Sequence, residues 1–489
     1  MKKSVFLMAT FMAAGMNAQA QETTVTTWQG TYKQGDDLHR VVLQASHKDG
    51  GPWSVDGFYV DLLSSPVHVD SSSLANSEVK LSANAEKGHL DGVLSPDGSE
   101  FDGTWSWENH PVSLVLHRIS NEAAWHVPLL YQYHLNDVTY SRPSPEEPKI
   151  PFSTRLAVDY MEQGALAWTK EWQCVACHTN GTYMVVRPMM ASELGAPQQQ
   201  MRDYFISVLH KARQGKTNDK DPEVDPTQMV YIAAGLAIWD AHITHRLSPE
   251  TSQALELMFK QQRPSGDWFI GDDNNPPLES STYQLATVAA RAVANAPGWL
   301  AQQRGTPLQA HVDLLKQYLR EPHKMQGDYD KTDLLWTASE YPGLLDARQT
   351  QALIKMVLDH QQFDGGWSIR GFAAPDEWGK GNRADKLRSE LEYLLPQSDG
   401  HMTGLAIIAL RKAGVPASDP HIQRGVQWLL NNQRSSGRWW TRSLNRDGWQ
   451  FITYSGTAYP LLALSLCNAL PERLPVQPAD HGTTGEFSR

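Results

Sequence analysis

The most specific chemical pattern in this 489-residue sequence is Cys174-Val-Ala-Cys177-His178. Thiols three positions apart can reach the two vinyl groups of one porphyrin as thioethers, and the imidazole that follows can bind the iron from one side. One covalent haem c on Cys174, Cys177 and His178 is therefore the expected cofactor. A Cys174–Cys177 redox disulfide and a partial zinc site are the alternatives. Adjacent Cys177 and His178 chelate one zinc poorly, and no second C-x-x-C completes a tetrahedral set. The sixth iron position is open to Met184, Met189 or Met190, with Met201, Met229 and His210 further on. A thioether there would raise the potential as in electron-transfer haems, although Met also fills core space.

The elements that must position this motif change character along the chain. Residues 24–118 alternate polar and apolar in short runs broken by Gly, Asp, Asn and Pro, which predicts about eight antiparallel strands closing into a small barrel or sandwich over 21–120. Its Trp28-Gln-Gly30-Thr31-Tyr32 and Gly103-Thr104-Trp105 signals resemble lipocalin-like β-modules at the front of exported bacterial enzymes. A Pro-rich linker over 121–152 follows, with Pro143, Pro145, Pro148 and Pro151. From 153 to 475 the period becomes helical, and a polar tail, 476–489, closes the chain.

Six helix pairs are expected, beginning near Ser153, Gln198, Pro249, Gln309, Arg348 and His421, with the haem motif inside the first. Three pairs carry a shared turn: Gln262-x3-Gly266-Asp267-Trp268, Gln362-x2-Gly365-Gly366-Trp367 and Gln433-x3-Gly437-Arg438-Trp439. Gly permits the left-handed exit from a helix, Gln can bond freed backbone groups, and Trp can bury its ring against the next hairpin. These turns resemble the Gln-Trp repeats of squalene-hopene and oxidosqualene cyclases and the wider prenyltransferase and terpenoid-cyclase family. The resemblance implies an (α/α)6-type toroid of inner and outer helices around an apolar cavity. Separately, Cys174–His178 with Gly181 to Met190 resembles the attachment segment of small c-type cytochromes.

In triterpene cyclases an Asp-rich D-x-D-D-T-A motif opens an inner helix and protonates the substrate. The similar stretch here is Asp399-Gly-His401-Met402-Thr403-Gly404, where His401 and Met402 stand in place of two carboxylates. Imidazole is a far weaker acid than a tuned carboxyl, so alkene protonation loses its expected source. Asp399 and His401 remain the candidate catalytic residues, His401 as proton carrier, haem ligand, substrate contact or helix-end group. Asp328-Tyr-Asp330-Lys-Thr-Asp333 is expected to cap the next helix. Glu279 to Tyr283 and Thr453 to Thr457 open two further inner helices, and Cys467 reads as core.

Residues 1–20 pair Lys2-Lys3 with an apolar run to Met16 and a small-x-small site, Ala18-Gln19-Ala20, which predicts a signal peptide and a periplasmic protein. No later run is long enough for a membrane helix. With 43 Lys and Arg against 54 Asp and Glu, net charge −11, the chain carries no footprint for nucleic acid. The function these features favour is that of an exported haem protein, a haem-dependent oxidoreductase if an enzyme, exchanging electrons with a partner protein and holding an apolar or amphiphilic small molecule. A triterpene cyclase or isomerase with structural haem (an intramolecular transferase) and a non-enzymatic ligand-binding module are the alternatives.

Overall fold

A computed structural model describes residues 23–471, apart from 35–36, 49–52, 61–69, 76, 84–87, 108–109, 120–147, 215–224, 272–275, 321–325, 394 and 446–450. The expected signal peptide, most of the Pro-rich linker and the tail lie outside the described residues. The chain divides into two compact units, Met1–Ala124 and Trp125–Arg489.

The first unit holds eight antiparallel strands, β1 (Thr23–Gln34), β2 (Asp37–Lys48), β3 (Ser54–Val60), β4 (Ser71–Ala75), β5 (Glu78–Ala83), β6 (Gly88–Leu94), β7 (Glu100–Trp107) and β8 (His110–Ile119). Sheet order is β3-β2-β1-β8-β7-β6-β5-β4. Because β8 pairs with β1, this is an up-and-down meander curled into a barrel-like sheet, and β3 approaches β4 across the seam. Alternation places Trp28, Leu43, Phe58, Leu90, Phe101, Trp105 and Leu116 inside one core.

The helical unit contains, among the described residues, a ring of paired helices. The outer members are α1 (Thr154–Trp172), α3 (Gln199–Arg213), α5 (Pro249–Lys260), α7 (Pro307–Arg320), α9 (Ala347–Asp359) and α11 (Pro420–Asn432). The inner members are α2 (Thr182–Val186), α4 (Pro226–Trp239), α6 (Thr282–Asn295), α8 (Asp328–Glu340), α10 (Gly400–Lys412) and α12 (Ile452–Leu466). Each inner helix packs on the next, and α12 returns to α2, so the ring is closed. The chemistry of the two sets differs accordingly: α4, α10 and α12 are buried on nearly every side, whereas α11 buries only the stripe Ile422, Gly425, Val426, Trp428 and Leu429.

The Gln-Trp turns fasten this ring. Gln262 donates to Gly266 O (3.0 Å) and His311 O (3.1 Å), Gln361 to Gly365 O and His421 O (both 2.8 Å), and Gln433 to Gly437 O and Ser153 O (both 3.0 Å). Each amide thus ties its own turn to the start of the next outer helix, and the last ties the turn after α11 to the start of α1. In the second copy Gln361 does this, not Gln362, which restores the Gln-x3-Gly spacing. The three glycines sit at φ 97, 93 and 87°. Trp268, Trp367 and Trp439 are wholly buried, each donating its indole N–H to a carbonyl ten residues earlier, Met258, Val357 and Leu429. On the inner ring α10 and α12 meet at Gly404, where a Cβ would lie 2.6 Å from the backbone of Tyr459 and Pro460.

Candidate active site

The start of α8 carries three carboxylates that sequence reasoning assigns to capping. The structure corrects this, because the N-cap is Gly327, which has no side chain to offer. Asp328 instead bonds His360 Nε2 (2.9 Å) and Lys331 Nζ (2.8 Å), and the His360 hydrogen bond leads in holding its pKa down to about 2. Asp330 is buried and its Oδ2 accepts from Ser281 Oγ at 2.6 Å, while Oδ1 makes no hydrogen bond within 3.5 Å among the described residues. Burial pushes its pKa up to about 7, with the neighbouring Asp333 adding to the rise. Asp333, one turn on, is 1% exposed and faces Arg291 Nη1 at 3.6 Å, longer than a hydrogen bond. Burial raises its pKa against the pull of Arg291.

At the start of α10 the two candidate catalytic residues have separate tasks. Asp399 is the N-cap: it accepts from Met402 N (2.9 Å), Ile369 N (2.7 Å) and Thr441 Oγ1 (3.3 Å), so both oxygens are engaged. Burial raises its pKa to about 6 against those donors. His401 is fully buried, with Nε2 at 3.0 Å from Tyr329 Oη and Nδ1 at 2.8 Å from Ser455 Oγ. Ser455 donates its own proton to Ile452 O (3.0 Å). Nδ1–H therefore donates to Ser455, and Tyr329 donates to Nε2, which is the pattern of a neutral imidazole. Burial holds its pKa down to about 3, so His401 stores no extra proton at neutral pH.

The ring interior joins these groups. Tyr329, Asp333 and Trp336 share one face of α8. Trp336 stands edge-on to Tyr459 at 6.1 Å, and Tyr459 lies 5.0 Å from His401. Arg291 on α6 lies over the Trp336 ring at 4.1 Å. Tyr231 on α4 is buried within the electrostatic reach of Tyr459 and Arg291. From the stretch between α9 and α10, Trp378 packs on Tyr329 at 5.2 Å, and buried Arg370 anchors that stretch through Glu390 (2.7 Å) and the carbonyls of Arg442 and Ser443 (both 3.2 Å). A cleft of about 460 Å³ opens beside it, lined by Asp328, Lys331, Arg370, Phe372 and Tyr393 among others. Sequence reasoning missed Arg291, Trp336, Tyr231 and Tyr459. A signal existed for Arg291, the one charged residue in the apolar run TYQLATVAARAVAN.

The Cys174–His178 segment forms the turn between α1 and α2, with a π-helical turn at Cys177–Gly181. Asn180 braces it, accepting from Ala176 N (2.8 Å) and donating to Cys174 O (2.9 Å). Both thiols are free. Burial raises both pKa values, with Glu279 adding to the rise at Cys177, so both remain neutral thiols. His178 stacks on Phe451 (4.1 Å) and meets Trp168 edge-on (4.6 Å), its Nδ1 is 2.6 Å from Thr179 Oγ1, and burial holds its pKa down to about 3. With Nδ1 engaged by Thr179, Nε2 is the His178 nitrogen that an iron could take. The donor types, two free thiols and an imidazole, are those a c-type haem takes, although Cys177 is buried and the His178 ring is packed against Phe451 and Trp168. Of the proposed sixth ligands, Met184 is buried against Gly235 of α4, Met190 is buried and Met189 is half-buried; Met201 and Met229 are core, and His210 is exposed.

Residues 396–467, which include the start of α10 and all of α12, match the squalene-hopene cyclase C-terminal domain. The terpene cyclase-glycosyl transferase fusion protein fsoA of Humicola fuscoatra is 31% identical over 141 residues, 27% of this chain and 9% of that protein. The chain therefore spans about a tenth of the length of that relative. Among solved structures, ent-copalyl diphosphate synthase from Streptomyces platensis aligns at 14% identity over 59% of this chain and 50% of its own, with a TM-score of 0.39. The helical unit is thus a terpene-cyclase-like toroid, defined by its closed double ring and by the matched segment.

Proposed function

We propose that the toroid holds an apolar or amphiphilic small molecule inside the ring and acts on it by proton transfer, as a cyclase- or isomerase-like enzyme. The observation that carries this is Asp330, a buried carboxyl whose pKa burial raises to about 7, so that about half of it is protonated at neutral pH; as an acid no stronger than imidazole, it depends on neighbouring aromatic faces to stabilise the cation it forms. Ser281 donates to Oδ2, so the acid proton belongs on Oδ1, which makes no hydrogen bond within 3.5 Å among the described residues, with Ser280 a weaker neighbour of the carboxyl. The aromatic faces of Tyr231, Tyr329, Trp336 and Tyr459 supply apolar walls that tolerate developing positive charge. His401, neutral and held between Tyr329 and Ser455, positions the Tyr329 hydroxyl in place of the absent second carboxylate. The test is anaerobic incubation with a linear polyene such as squalene in detergent. Turnover lost in Asp330→Asn and kept in Asp328→Asn is expected; an inactive wild type, or an active Asp330→Asn, overturns the reading.

A second reading is supported by the donor types at the first turn: Cys174 and Cys177 would hold a covalent haem c, His178 would ligate its iron, and Met184, Met189 or Met190 would be the candidate for a further ligand. When bound, the haem would supply one-electron chemistry, with an electron donor or acceptor protein as partner. The leading segment over 1–20 supports a periplasmic site for either reading. Protein exported from a host that attaches haem c should give a c-type absorption spectrum, lost in Cys174→Ala/Cys177→Ala. A colourless wild type removes this reading and leaves the first intact.

A further inference from the structure

Three side chains on facing inner helices are buried with their hydrogen-bonding capacity unmet. Gln284 (1% exposed) and Arg291 (2%) lie two turns apart on one face of α6, and Asp333 (1%) faces them from α8. Among the described residues, Gln284 Oε1, Arg291 Nε and Nη1, and both Asp333 oxygens make no hydrogen bond within 3.5 Å; Asp333 pairs with Arg291 only at 3.6 Å and draws Gln284 and Arg291 as weak, long partners. An unmet buried polar atom costs about 1–3 kcal/mol, and a buried ion pair is often no more stable than the apolar residues that would replace it. Packing alone would not keep five such atoms together. They are donors and acceptors in the same place, beside the apolar faces of Trp336 and Tyr459.

We propose that Arg291, Asp333 and Gln284 form a polar subsite that binds one hydroxyl group of an otherwise apolar ligand. This rests on the reading that the ring interior holds such a ligand, and it names the ligand's chemistry. A hydroxyl both donates and accepts: its oxygen can take a hydrogen bond from Arg291 while its proton goes to Asp333 or Gln284. A pure hydrocarbon offers none of these atoms a hydrogen bond. A diphosphate brings several negative charges to a place where one guanidinium already faces Asp333 and where Asp330 lies one turn away. The ligand class is therefore a neutral alcohol with an apolar body set against the faces of Trp336 and Tyr459.

The experiment compares geranylgeraniol with the hydrocarbon of the same carbon skeleton, each titrated in detergent against tryptophan fluorescence, to which Trp336 contributes. Wild type should bind the alcohol about tenfold or more tightly than the hydrocarbon, the discrimination of one hydrogen bond to a charged group. Arg291→Met should bring the alcohol down to the hydrocarbon's level. Equal wild-type binding of the two overturns the subsite and leaves the ligand-holding reading standing. Binding of neither removes both. If Arg291→Met alone does not fold, Arg291→Met/Asp333→Leu, which removes both halves of the ion pair, should melt at or above the wild-type temperature with the preference for alcohol lost. A double variant that melts well below wild type, or that keeps the preference, overturns the proposal.

Discussion

Asp330→Asn should change how the stability of the helical unit depends on pH. A carboxyl moved from its ordinary value of 3.8 to about 7 binds its proton in the folded state by about 4 kcal/mol more than in the unfolded state. Between pH 4 and 7 the folded chain keeps this proton while the unfolded chain has lost it. Wild-type stability therefore falls as pH rises through that window, by about 4 kcal/mol from this group, and the contribution levels off above pH 7. Asparagine keeps the acceptor for Ser281 and has no charge to form. The difference in stability, Asn variant minus wild type, should therefore rise by about 4 kcal/mol from pH 4 to pH 8. Urea unfolding followed by helical circular dichroism at matched pH values measures this difference directly, since other titrating groups largely cancel. A difference that stays flat across the window would refute the claim that Asp330 is held neutral by burial, and with it the proton source of the proposed reaction.

Gln433→Ala removes the donor to Ser153 O and Gly437 O and the acceptor of Ser153 N (2.6 Å), which close the ring. It should cost about 2–4 kcal/mol in urea unfolding, whereas Gln362→Ala should cost under about 1 kcal/mol because its amide reaches only His360 O at 3.3 Å. Gly404→Val should destabilise by about 3 kcal/mol or more, because its side chain would run into the backbone of Tyr459 and Pro460; wild-type-like melting would show that α10 and α12 can separate. With its pKa near 3, His401 should show no imidazole titration by nuclear magnetic resonance between pH 5 and 8. Tyr329→Phe should leave that silence intact, since burial and not the phenol keeps the imidazole neutral.

The repeat architecture was legible along the chain because it is local. A helix that must bury one stripe or all faces writes its period into consecutive residues, and the Gln-x3-Gly turn is complete within a few positions. The predicted starts of the six outer helices fall within two residues of Thr154, Gln199, Pro249, Pro307, Ala347 and Pro420. The alternation of the strands likewise announced the sheet. What the linear order did not disclose is the ring interior. Asp330 and Asp333 look like helix-start carboxylates until α6 brings Ser281 and Arg291 against them, and His401 looks like a lost acid until Tyr329 and Ser455, 72 and 54 residues away, clasp its two nitrogens. Burial, which sets whether these groups hold a proton, belongs to the closed ring and to no single segment of it. The chain by itself determined the helices, the turns and the thiols; closure of six inner helices decided which acid stays neutral and which polar atoms wait for a partner, because desolvation and pairing act across space between residues far apart in sequence.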